Sequence, residues 1–142
     1  MKKILTILII ISFVVVTSSC SRRETEKTIV NIYKDVEREN LEIDDNNDIK
    51  SISQVPVLKI EKENEIKQIE NTIENSILIT EIIEMGEATY IINSSNKYYY
   101  LWLTSDSETA LILKPSTIDN STYYRCSRED TNKLKDIILE DN

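Results

Sequence analysis

Apolar residues are spaced along this chain in three ways, and each spacing predicts a different element. Ile4 to Val16 is an apolar run broken only by Thr6 and Ser12. Ile66, Ile69, Ile73 and Ile77 recur three or four residues apart between charged neighbours, which predicts an amphipathic helix over Glu63–Ile77. Glu63 and Glu65 fall in its first turn, where the helix dipole favours negative charge. Leu134, Ile137 and Ile138 repeat that spacing. Ser127 stands ahead of them as an N-cap, with Asp130 three residues on in a shortened capping box. Alternating or β-branched stretches predict strands at Val55–Ile60, Ala88–Asn93, Lys97–Thr104, Glu108–Lys114 and Thr122–Cys126. Residues 93–96 and 105–107 supply short polar turns between them, and a longer loop runs through Pro115 and Asp119-Asn120. Ile77 to Glu84 fits a strand or continued helix, and Gly86 ends it either way.

The order is strand, helix, antiparallel strands, helix. It predicts an α+β fold: a small antiparallel sheet of about four to five strands with two amphipathic helices packed on one face. The domain is expected over residues 49–142. Residues 20–48 are rich in Asn, Glu and Asp and read as a flexible acidic tether. Ile29, Val30, Ile32 and Tyr33 form a strand-like exception within it. The acidic cluster Asp44-Asp45-Asn46-Asn47-Asp48 lacks the glycine and closing glutamate of an EF-hand loop, so it reads as linker.

The first nineteen residues have a different character. Lys2 and Lys3 precede the apolar run, and Thr17, Ser18 and Ser19 follow it as a small-residue exit, the layout of a secretory signal peptide. The run reaches only about 20 Å as a helix, short of the roughly 30 Å hydrocarbon core. Val16-Thr17-Ser18-Ser19-Cys20 resembles the lipobox of bacterial lipoproteins. That resemblance implies cleavage before Cys20 and attachment of diacylglycerol, with palmitate-type chains, to its sulfur. Thr17 and Ser19 also fit ordinary signal cleavage; the cysteine at the end of the signal favours lipidation. The membrane is then a partner through the lipid on Cys20, and the expected location is the extracytoplasmic face of the cell membrane.

Composition excludes several functions. The chain has 17 basic and 25 acidic residues, a net charge of −8, and loses Lys2 and Lys3 on processing. Nucleic acid, which needs basic patches, is not an expected partner. With no His, Ser-His-Asp and Cys-His catalysis in their usual forms and His-based zinc sites are absent. A single glycine cannot build a phosphate-binding loop. No cofactor is expected. Cys126 is the one cysteine besides Cys20, so a processed chain has no internal disulfide, and Cys126 reads as a small buried residue.

Between about Ile60 and Leu139, three pieces stand in order. They are the Glu63–Ile77 helix, the strand Tyr98-Tyr99-Tyr100-Leu101-Trp102-Leu103, and Tyr123-Tyr124-Arg125-Cys126-Ser127 ahead of Asn132-Lys133-Leu134. In these the chain resembles the YhfM-like domain of lipoproteins from Gram-positive bacteria. The resemblance implies the envelope address and the fold, and carries no assigned activity.

The aromatic strand is the feature most open to a functional reading. Alternation places Tyr98, Tyr100 and Trp102 on one face and Tyr99, Leu101 and Leu103 on the other, which is expected under the helices. Tyr124 or Tyr123 joins the first set, depending on register. That set is either covered by neighbours or forms a platform for an envelope protein, peptide or wall polymer. The expected function is a non-enzymatic binding module, of which an immunity or inhibitor protein is one version. The alternatives are a carboxylate-dependent envelope hydrolase, drawing on Glu84, Glu87, Asp106 or Glu108, and a structural subunit recruited through a sheet edge.

Overall fold

A computed structural model describes residues 28–81, 85–114 and 122–140. The signal segment, Cys20, Glu84 and the Pro115/Asp119-Asn120 loop lie outside the described residues. No helix among the described residues is long and apolar enough to cross a membrane.

The fold is α+β, an antiparallel sheet with two helices. Among the described residues nine strands run in chain order: β1 (Val30–Lys34), β2 (Leu41–Ile43), β3 (Ile49–Ile52), β4 (Leu58–Ile60), β5 (Ile77–Leu78), β6 (Tyr90–Ser94), β7 (Lys97–Trp102), β8 (Leu111–Leu113) and β9 (Tyr123–Arg125). Helix α1 (Glu63–Asn75) lies between β4 and β5, and α2 (Arg128–Ile138) follows β9. Seven strands form one sheet in the order β4-β1-β6-β7-β8-β9-β5, and β2-β3 is a separate two-stranded ribbon. The expected four to five strands undercounts this sheet. The two strands beyond that count are β1, the strand-like exception within the expected tether, and β5, where strand and continued helix were both open.

Strand β1 corrects the expected domain boundary. Val30 and Ile32 are fully buried toward the helices while Tyr33 is buried on the opposite face, so the segment is covered on both sides. It bonds to β4 and β6 at once. Folded structure therefore includes residues from Val30, and only the stretch before it is left for a tether. The charge of residues 35–48 misleads because it lies on the exposed ribbon, its turn and the exposed segment leading into it. The acidic cluster is the ribbon's turn, in which the Asp44 carboxylate accepts the backbone N–H groups of Asn46 (2.8 Å) and Asp48 (3.0 Å).

Both helices close over one face of the sheet. Ile66, Ile69 and Ile73 from α1, with Leu134, Ile137 and Ile138 from α2, pack with Val30, Ile32, Ile60, Ile92, Leu101, Leu103 and Ile112. Full burial of one such side chain contributes roughly 1.5–3 kcal/mol. The stripe of α1 stops one member early. At Ser76 the backbone turns extended, and the Ser76 hydroxyl donates to the Ile73 carbonyl at 2.7 Å. Ile77 thus enters β5 and is 71% exposed instead of joining the core.

Helix α2 begins as the sequence predicts, with the Ser127 Oγ accepting the Asp130 N–H at 3.0 Å. Buried Thr131 ties the helix to the sheet: its hydroxyl accepts from the Ala110 N–H and donates to the Ser127 carbonyl, both at 2.8 Å. Lys135 holds the β7–β8 loop by donating to the carbonyls of Ser105 (2.8 Å) and Ser107 (2.6 Å). The β6–β7 hairpin turns on Ser95 and Asn96, both with positive φ (51° and 60°), as a two-residue primed turn requires.

Candidate functional site

The helices cover one face of the sheet, so the chemistry of the other face is set by β7. Leu101 and Leu103 are buried under the helices and Tyr99 packs against that core, which leaves Tyr98, Tyr100 and Trp102 on the far side. Pairing register extends that far face across the sheet. Tyr33, Ile91, Tyr100, Leu113 and Tyr123 stand opposite one another in one row. Trp102, Leu111, Arg125 and Ile77 form the next row.

This face has two unlike halves. Over β1, β6 and the first part of β7 lies the β2-β3 ribbon. Its Ile49 joins Tyr33 and Ile91 in a second buried cluster, with Val36, Leu41, Ile52, Tyr98 and Tyr100 packed around it. Burial raises the Tyr33 hydroxyl pKa, assisted by Tyr98. Burial also raises that of Tyr100, with the Asp48 carboxylate adding to it. Two of the expected platform residues, Tyr98 and Tyr100, are thus substantially committed to holding the ribbon.

Over β8, β9 and β5 no such ribbon lies among the described residues. Trp102, Leu111, Leu113 and Tyr123 are half-buried and Ile77 is exposed. The Trp102 ring meets the Tyr123 ring edge-on, with centroids 5.3 Å apart and planes at 72°. Its indole N–H donates to the Gly86 carbonyl at 3.0 Å, which fixes the ring's orientation. Register settles which of the two tyrosines joins the set. Tyr123 shares the face of Trp102, while Tyr124 stands opposite Ile112 on the helix side, where the Lys114 ammonium sits 4.1 Å from its ring centroid. Tyr124, expected with Tyr98, Tyr100 and Trp102, is therefore not on that face: a one-residue shift of register exchanges the faces, and β9 alone does not fix it.

The four carboxylates considered for hydrolysis are not brought together in a described cleft. Glu84 is outside the described residues and Glu87 is exposed. Asp106 accepts from the Thr104 hydroxyl, a bond that lowers its pKa, and Glu108 pairs with Arg128 at 3.0 Å on the surface. The carboxylates that do line a cleft are others. Glu70 and Glu74 of α1 face Ser94, Tyr99 and Lys114 across about 350 Å³, and buried Ser94 donates to Glu70 Oε1 at 2.9 Å. A smaller cleft of about 260 Å³ runs along β5, lined by Ile77–Glu81, Arg125, Cys126 and Ser127. Cys126 is buried there, and that burial, with Asp130 nearby, pushes its thiol up to about 12. A thiol so protonated is a packing group rather than a nucleophile. No group of His, Cys, Asp or Glu among the described residues is arranged to hold a metal ion.

No protein-family model and no curated protein matches this chain. Among solved structures, a thioesterase-like protein from Clostridium sporogenes superposes with a TM-score of 0.51 at 15% identity. The match covers 79% of this chain and 94% of that one. At that identity the likeness is one of fold: the two chains share the antiparallel sheet with helices on one face.

Proposed function

We propose that this chain is a lipoprotein anchored through diacylglycerol on Cys20 at the extracytoplasmic face of the cell membrane, and that its domain is a non-catalytic binding module. The address rests on the signal-like segment ending in Val16-Thr17-Ser18-Ser19-Cys20. The binding role rests on one observation: half of the sheet's second face carries Trp102, Leu111, Leu113, Tyr123 and Ile77, half-buried or exposed, with no ribbon over it among the described residues. Tryptophan and tyrosine on a partly desolvated apolar patch are the residues that carry binding energy at interfaces. Envelope proteins, peptides and wall polymers are the partner classes within reach of such an anchor, and immunity or inhibition is one form of the role.

Two measurements test this. Mass spectrometry of the mature N-terminus should find diacylglycerol on Cys20, and Cys20→Ala should release the chain into the medium. Pull-downs from envelope extracts should enrich a component that Trp102→Ala loses. An unlipidated N-terminus sinks the address, and identical pull-downs from both proteins sink the face.

A second reading is a hydrolase. The structural neighbour's thioesterase-like label and the Ser94–Glu70 pair beside its cleft favour it. Turnover of acyl thioesters or esters that Ser94→Ala and Glu70→Gln both abolish would establish it in place of the binding role.

A further inference from the structure

We infer that the β2-β3 ribbon is a lid: it opens as a unit while the sheet and both helices stay folded, and its opening uncovers the face carrying Tyr33, Ile91, Tyr98 and Tyr100.

The ribbon is a detour in the chain between β1 and β4, and it pairs with no strand of the seven-stranded sheet. Its backbone bonds are internal. The Ser53 N–H donates to the Asn40 carbonyl at 3.0 Å near the base, and the Asp44 N–H donates to the Asp48 carbonyl at 2.9 Å at the turn. Two further bonds fasten the linking segments to the sheet. The Asp35 N–H donates to the Thr89 carbonyl at 3.3 Å, and the Gln54 side-chain amide donates to the Lys34 carbonyl at 2.9 Å. Both stand at the ribbon's root, so lifting β2 and β3 need break neither.

The apolar contact beneath the ribbon is thin. Of residues 35–57 only Ile49 is buried; Val36, Leu41 and Ile52 are half-buried, and Ile43 is exposed. On the other face α1 buries Ile66, Ile69, Thr72 and Ile73, and α2 buries Thr131, Leu134, Ile137 and Ile138. Closure is stabilised in proportion to the apolar area it removes from water, so the ribbon is held more weakly than either helix. Its contact is also separate. Tyr33, Ile49 and Ile91 form a cluster distinct from the one under the helices, and the sheet lies between the two. Local openings follow such boundaries, because a unit with few buried apolar contacts opens at a fraction of the free energy of global unfolding.

The consequence is a gated surface. Lifting the ribbon takes Ile49 off the buried Tyr33 and Ile91 and frees the half-buried Tyr98 and Tyr100. On the binding-module reading, the lid then sets how much of the second sheet face a partner reaches. The inference itself concerns the folded chain alone and stands or falls without that reading.

Hydrogen exchange of the mature full chain, followed by mass spectrometry at increasing urea below the unfolding transition, tests it. A two-stranded hairpin detached from its support is at best marginally stable in water, so a lifted ribbon exchanges its amides. Peptides from residues 41–52 should be protected at least about a hundredfold less than peptides from residues 90–102. Exchange in 41–52 should scarcely respond to urea, while that in 90–102 should follow the full slope of unfolding. Ile49→Asp puts a carboxylate where the ribbon has its one buried side chain. It should bring 41–52 to within about tenfold of an unprotected chain and leave 90–102 protected at least about a hundredfold. Equal protection and equal urea slopes for the two segments in the wild-type chain overturn the inference. So does an Ile49→Asp variant that loses protection in 90–102 as well, or that keeps it in 41–52. A Trp102→Ala pull-down is independent of all these outcomes, because Trp102 lies outside the cluster under the ribbon.

Discussion

The ribbon-covered and open halves of the second sheet face are built from similar side chains and end in opposite states. On the covered half Tyr33 and Ile91 are 7% and 4% exposed. On the open half their counterparts in the same cross-strand row, Leu113 and Tyr123, are only half-buried. Side-chain type does not decide the difference, since each half carries an aliphatic residue and a tyrosine in that row. The ribbon decides it. Its Ile49, Leu41 and Ile52 supply the second wall that an apolar sheet surface needs to be dry. Where no ribbon stands among the described residues, the same kind of surface stays half-buried.

The largest break in that comparison should come from the layer common to both halves. Leu101→Ala empties a fully buried position beneath the helices and should cost about 2–5 kcal/mol in urea unfolding. An effect under 1 kcal/mol there would mean the core is not packed as described. Next comes the contrast itself. Ile91→Ala should cost about 2–4 kcal/mol because the ribbon closes over it, whereas Leu111→Ala on the open half should cost under about half as much. Equal losses would show both halves to be covered.

Smaller effects test the frame around the two halves. Ser127→Ala removes the cap that starts α2 and should cost about 1 kcal/mol, with loss of helical signal confined to that end. Asp130 gives a pH signature. Partial burial opposes its ionisation, but the Ser127 hydroxyl and the Lys133 ammonium outweigh this and hold the carboxyl below its usual range. A folded pKa below the unfolded one contributes stability above the unfolded value, and that stability is lost as pH falls through the folded value. Stability should therefore drop on acidification below about pH 4, by less in Asp130→Asn than in wild type. Cys126 behaves in the opposite sense. Its raised pKa contributes stability below the unfolded thiol value, lost as pH rises toward about 12. At pH 8 a thiol reagent should label it only as fast as the domain opens; prompt labelling of native protein would contradict its burial. The smallest effect is expected at the exposed Lys67–Glu63 pair, where Lys67→Ala should leave the unfolding midpoint unchanged.

Several of these features were legible in the residues. The alternation through Tyr98–Leu103 placed Leu101 and Leu103 under the helices correctly, and the Ile66, Ile69, Ile73 spacing named the buried face of α1. Ser127 and Asp130 marked the start of α2. Other features were not. The ribbon is hidden in charge, because a two-stranded hairpin with one wet side looks like a linker until the sheet it covers is known. Ile77 continues the helical spacing, yet Ser76 ends the helix and β9 captures the backbone beyond it. Tyr123 and Tyr124 differ only in register, which is a relation between strands and belongs to neither alone.

Sequence by itself determined the periodic quantities: which residues of a helix or strand share a side, where a cap begins a helix, and which chemistries lack their residues. These depend on near neighbours in the chain and on fixed repeats of 3.6 and two. Tertiary structure decided what stands over each side once it is formed. It put the ribbon on Tyr98 and Tyr100, left Trp102 and Tyr123 half-buried, and set Ile77, exposed, in the edge strand β5. Burial depends on segments far apart in the chain, and for the second sheet face the covering segment was the one whose composition least resembled a core.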